Sequence, residues 1–178
     1  MASLGARMKG AMMADVATFE EIENDPSAMG QAVTVIVIAG AAALVGNLFR
    51  AGITAGIFAM IISLIGYAVW ALVVTLVGTK LMPEPTTKAD FAETFRTIGF
   101  AASPGIFNVL AIIPFLGPLI SFAIAIWSLI IMVVAVRSVL DYSNIGRALI
   151  VVLIGFVIYW ILVFFILTPM LITSALLS

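Results

Sequence analysis

Chemistry in a polypeptide needs nucleophiles, acid–base groups or metal ligands, and this 178-residue chain contains neither cysteine nor histidine. Disulfides, thiol nucleophiles, imidazole bases and Cys/His metal sites are thereby excluded. Nine carboxylates and eight basic side chains remain. Their near balance gives no sign of nucleic-acid binding, and their positions carry the information. Glu93 and Arg96 stand one helical turn apart, at a spacing that allows them to pair. Arg137, Asp141 and Arg147 gather within one connection. With the acidic arm of Glu20, Glu21, Glu23 and Asp25, these five residues would form a cytoplasmic docking face. The plainer reading is a set of solvated loops that meet anionic lipid headgroups. No charged residue falls in the middle of an apolar run, which argues against ion-coupled carriers, proton pumps and voltage sensors. No catalytic, cofactor-binding or metal-ligating residue is expected.

The uncharged polar groups within apolar stretches are Thr34, Asn47, Thr54, Ser63, Thr75, Asn108, Ser121 and Ser128. A hydroxyl on a membrane helix usually bonds its own backbone or a neighbouring helix. Asn108 lies four residues after Pro104, where its amide could satisfy carbonyls that the proline leaves free, or could line a polar cavity. Trp70, Trp127 and Trp160 sit away from the span ends, so their indole N–H groups need acceptors at depth. Each is expected to face the bundle or a partner chain. A pigment or quinone site is the sharper alternative, but the linear sequence shows no cluster of aromatics around a polar anchor.

These residues are positioned by a chain that is 64% hydrophobic and 10% charged, with a mean hydropathy of +1.30. At about 20 apolar residues per crossing, it holds about five spans. The expectation is an all-α polytopic membrane protein. Residues 1–25 form an interfacial amphipathic arm, and 26–178 a five-span domain with spans at 31–49, 53–79, 90–116, 119–137 and 145–168. The arm is read as two short helices broken near Asp15, the second opened by Thr18 and Glu21. Asp25 and Pro26 suit the start of the first span. Gly52 and Gly56 form a Gly-x-x-x-Gly spacing, read as intramolecular packing. Thr87 with Asp90 resembles a capping box, and Ser143 or Asn144 can cap the last span, which Pro169 would kink or end.

The third span is the irregular one. Between Thr97 and Ile120 it holds Pro104, Pro114 and Pro118 together with Gly105 and Gly117. The backbone groups freed by proline must find protein partners, because lipid offers none. The stretch therefore reads as a wedge inside the bundle, broken at Ser103-Pro104, with an uncharged turn from Pro114 to Pro118. Pro104, Asn108, Pro114, Gly117 and Pro118 are its packing residues. With the N-terminus in the cytoplasm, seven basic residues lie inside (Arg7, Lys9, Lys80, Lys88, Arg96, Arg137, Arg147) and only Arg50 outside. This is the positive-inside pattern, with the C-terminus outside.

Three stretches resemble the Yip1-domain membrane protein family. They are Phe19 to Ala28; Phe100 to Leu110 followed by the Pro114 to Pro118 turn; and Ser143-Asn144-Ile145-Gly146-Arg147-Ala148. The resemblance implies five spans and a cytoplasmic N-terminus, and the chain looks like a bacterial member in a cytoplasmic membrane. The eukaryotic branch is linked to Rab GTPases, but this chain lacks that branch's long cytosolic N-terminal region and its Asp-Leu-Tyr-Gly-Pro type motif, so Rab binding is not expected. The leading functional expectation is a non-catalytic scaffold or adaptor, or an accessory subunit of a larger membrane complex. It would bind other membrane proteins, lipid or further copies of itself. The alternative is a small uncoupled transporter or channel built on the broken third span.

Overall fold

A computed structural model describes residues 2–161 in full, together with Phe164 and Phe165, and only the backbone of 162, 163 and 166–176. Seven α-helices follow one another: α1 (Leu4–Met12), α2 (Val16–Asn24), α3 (Ala28–Gly46), α4 (Leu48–Leu76), α5 (Phe91–Phe100), α6 (Gly117–Val139) and α7 (Ile145–Leu176). A π-helical turn (Val77–Leu81) extends α4, and a 3-10 segment (Ser103–Ile112) follows α5. The chain is thus all-α among the described residues. By length and composition, four helical stretches can cross a membrane: α3, α4 with its π-turn, α5 with the 3-10 segment, and α6. The apolar Ile145–Ile161 part of α7 adds a shorter one. α7 continues through Pro169 to Leu176, so that proline does not end the helix as expected; residues 177 and 178 lie outside the described residues.

Side-chain caps explain where the short helices begin. Asp15 accepts from the Thr18 backbone N–H and hydroxyl and so opens α2. This replaces the expected pairing of Thr18 with Glu21. Asp90 and Glu93 form a reciprocal capping box at the start of α5, one turn beyond the pairing of Thr87 with Asp90 read from the sequence. Thr87 instead donates its hydroxyl to the Leu140 carbonyl. Ser27 precedes α3 without a side-chain cap bond to it. Asp25 accepts from the Ser27 N–H and hydroxyl, so its carboxylate organises the turn before α3.

α3 and α4 form a hairpin that turns between Asn47 and Gly52, where the backbone kinks at Gly52 (φ 76°), a conformation that costs a residue without a side chain little. Of the Gly52/Gly56 pair, only Gly56 abuts a neighbour within the chain, the Leu44 side chain of α3. The core runs through Val35 and Ile36 of α3, Val74 of α4, Ile98 and Phe100 of α5, Ile131 and Val136 of α6, and Val151 of α7. Phe19 and Ile22 of α2 belong to the same core. The N-terminal arm is therefore packed into the bundle as well as being amphipathic.

Candidate functional site

The broken third span supplies one half of the site. α5 has ten residues and the 3-10 segment ten. At about 1.5 and 2.0 Å per residue the pair can cover about 35 Å, enough for a hydrocarbon core of about 30 Å. Pro104 cannot donate to the carbonyl of Phe100, and the Ser103 hydroxyl takes that acceptor at 2.6 Å in a fully buried position. Asn108 does not fill the role expected of it. Its side-chain amide makes no hydrogen bond among the described residues, because a 3-10 turn places it one and a third turns beyond Pro104, off the face of the freed carbonyl. Its backbone matters instead, since a Cβ on Gly46 would lie 1.9 Å from the Asn108 carbonyl oxygen.

The Pro114–Pro118 turn closes through Leu116 N–H to the Pro114 carbonyl (2.8 Å) and Gly117 N–H to the Ile113 carbonyl (3.0 Å). Phe115 adopts φ 65° and is 98% exposed at the tip. Gly117 is buried, and a Cβ there would meet the Arg50 guanidinium at 2.1 Å and the Ala111 carbonyl at 2.3 Å. Arg50, the one basic residue assigned outside, donates to that carbonyl at 3.5 Å. It thus tethers the end of the 3-10 segment to the α3–α4 hairpin. Ser103 is closed on Phe100, and Pro104 and Gly105 are buried.

The other half is the polar layer at the opposite end of the bundle. Arg7, 1% exposed, donates to Glu21 (2.9 Å), to Asp25 and to Gln31 (3.0 Å). Hydrogen bonds from Ser27 and then from Arg7 hold the Asp25 carboxyl down to about 2. Arg96 does not pair with Glu93, which is engaged in the cap. It donates instead to the backbone carbonyl of Glu23. The Glu23 carboxyl is pushed up to about 7 by burial and by the charges of Asp141, Glu93 and Glu20, with Arg96 opposing.

Glu84 latches the connection before α5 to the one before α7, and sequence reasoning missed it. Its carboxylate accepts from the Ser143 N–H (3.1 Å) and hydroxyl (3.3 Å) and from Arg147 (3.2 Å). These bonds lower its pKa. Arg147 also donates to the Pro83 carbonyl and lies 5.6 Å over the Tyr142 ring. Arg137 donates to the Tyr142 carbonyl at 3.2 Å, and the buried Tyr142 hydroxyl donates to Met82 at 2.7 Å. Asp141 joins neither arginine; it is exposed, and its carbonyl accepts from Thr86. Asn144 caps the start of α7 through the Gly146 N–H, while Ser143 is taken by Glu84. The expected docking face is thus divided. Arg137 and Arg147 knit the loops, whereas Glu93, Arg96 and Asp141 surround Glu23. A proline-flanked acid was the sole hint of Glu84, and its partners are 59 and 63 residues away.

The tryptophans separate as well. Trp127 donates to the Met12 carbonyl at 3.0 Å and stacks on Phe107 at 5.7 Å, which pins α1 against α6 and the 3-10 segment. Trp70 is half-buried, and its Nε1 has no acceptor among the described residues. Trp160 turns away from the bundle and is 54% exposed, which leaves the partner-chain half of its expectation. α7 packs on α4 and α6 through residues such as Val151 and Val152, which leaves Trp160 on its outer side.

A family model described as the Yip1 domain matches residues 9–165. No curated protein and no solved structure matches.

Proposed function

The chain belongs to the Yip1-domain family, and from that premise we propose that it is a non-catalytic scaffold or adaptor of a bacterial cytoplasmic membrane. Its partners are other membrane proteins, and it can serve as an accessory subunit of a larger complex. The single observation that carries this reading is Trp160. It lies 13 residues beyond Arg147, about 20 Å into the apolar layer. More than half of it is exposed, and its indole N–H has no acceptor among the described residues. Lipid tails cannot accept a hydrogen bond, so the cost of that orphan donor is relieved by an acceptor from another protein. Phe156, Phe164 and Phe165 are exposed beside it and widen the contact.

A photoreactive benzoyl-phenylalanine at position 160 tests the reading. Irradiated in native membranes, it should give a discrete protein adduct, while the same group at the fully buried Ile131 should not. Gentle extraction and native mass measurement should then show a hetero-complex. Lipid adducts alone at position 160, with a clean monomer or homo-oligomer across several lipids, would overturn it.

A further inference from the structure

α4 packs on α7 and α7 on α6, while α4 and α6 face each other across a cavity of about 500 Å³. Each helix supplies two turns of wall, from Ser63 to Trp70, from Ala125 to Met132 and from Val152 to Tyr159. Such a volume suits a small organic molecule. The wall is almost entirely carbon, with a few hydrogen-bond donors set into it. The Trp70 indole is part of the wall, but its Nε1–H is sealed from the cavity space and has no acceptor among the described residues. Among the described residues the hydroxyls of Tyr67, Tyr159 and Ser128 make no hydrogen bond either. Ser63 is already committed to the Met60 carbonyl at 2.7 Å. Trp70 meets Phe156 and Tyr159 edge-on, with ring centroids 6.5 and 5.9 Å apart, so aromatic surfaces flank the donors.

The occupant must fill apolar space and accept hydrogen bonds from more than one wall. A phospholipid tail does the first and leaves every donor stranded, at a cost that a membrane interior does not relieve. A saturated alcohol offers one acceptor at one end. A flat ring with oxygen acceptors on opposite edges meets the donors of α4 and those of α6 and α7 together, and its faces stack against the aromatic wall. We propose that this cavity binds a lipid-soluble molecule of the quinone class, its ring among Tyr67, Trp70, Ser128 and Tyr159 and its apolar tail leaving past Ile126 and Leu129 into the bilayer. The proposal does not rest on the docking role of Trp160, although Phe156 borders both surfaces.

The test uses the full chain in phosphatidylcholine nanodiscs with a short-tailed benzoquinone, and native mass spectrometry counts the bound ligand. Saturation at one quinone per chain is expected. Ala125→Phe fills the space from α6 and should abolish the adduct. Tyr67→Phe and Tyr159→Phe each remove one donor and should weaken binding by about tenfold. An alkylbenzene of the same tail length, which lacks the oxygens, should not compete. This control needs no variant and decides the matter even where a substitution unfolds the protein. Equal competition by the alkylbenzene, or undiminished binding in folded Ala125→Phe, overturns the proposal.

Discussion

Glu23 is the residue whose chemistry departs furthest from its type. Its carboxyl titrates near 7 in the folded chain because burial, and then Asp141, Glu93 and Glu20, disfavour the charged form. In the unfolded chain it titrates near the ordinary 4.5. The folded state therefore holds the proton more tightly, and stability falls as pH rises from about 4.5 to about 7. Glu84 and Asp25 act oppositely, since their lowered pKa values withdraw stability only as pH falls into the acid range. Thermal unfolding in detergent should show a midpoint that drops between pH 5 and 7.5, and Glu23→Gln should flatten that slope. An unchanged slope would remove Glu23 as its source. The sequence groups the acidic arm with Glu93 and Asp141 on one face, but the burial that raises the Glu23 carboxyl was not legible in it.

Among the elements, the 3-10 segment depends on two local substitutes for regular helix. Ser103 serves the carbonyl that Pro104 deprives of a donor. Ser103→Ala should destabilise the chain by about 1–2 kcal/mol. The penalty should shrink in a Pro104→Ala background, where the restored N–H can take the Phe100 carbonyl; a double-mutant cycle of unfolding midpoints measures the difference. The second device is close backbone approach. Gly46→Ala drives a methyl into the Asn108 carbonyl, whereas Gly30→Ala meets nothing within 4 Å. The first should cost at least about 2 kcal/mol and the second should be neutral or slightly favourable, as read from thermal midpoints. The prolines made the break at 103–104 legible. Its helical form and the residue that repairs it were not, because a hydroxyl one residue before proline and an amide four after it look equally suited until the turn is known.

For the whole molecule, the charge pattern assigns Lys88 to the inside and the Phe115 turn to the outside, and both are exposed. Because the chain has no native cysteine, a single cysteine at each position reports cleanly. With a membrane-impermeant thiol reagent on intact cells, a cysteine at 88 should stay unmodified and one at 115 should react; the reverse result would invert the topology. Composition and hydropathy determined an all-α polytopic chain, and the prolines determined where its third span breaks, because both follow from local chemistry that lipid enforces on every backbone group. Short motifs carried the family, which the match over 9–165 confirms. Tertiary structure alone decided which side chains meet. Arg7 joined Asp25 rather than lying off a surface helix, and Arg96 went to Glu23 rather than Glu93. Glu84 became the latch between two loops, and Tyr67, Trp70, Phe156 and Tyr159 came to line one cavity. Arg7 and Asp25 lie 18 residues apart and the other pairs farther, and pairings at that range are set by how the helices pack, which local spacing does not encode.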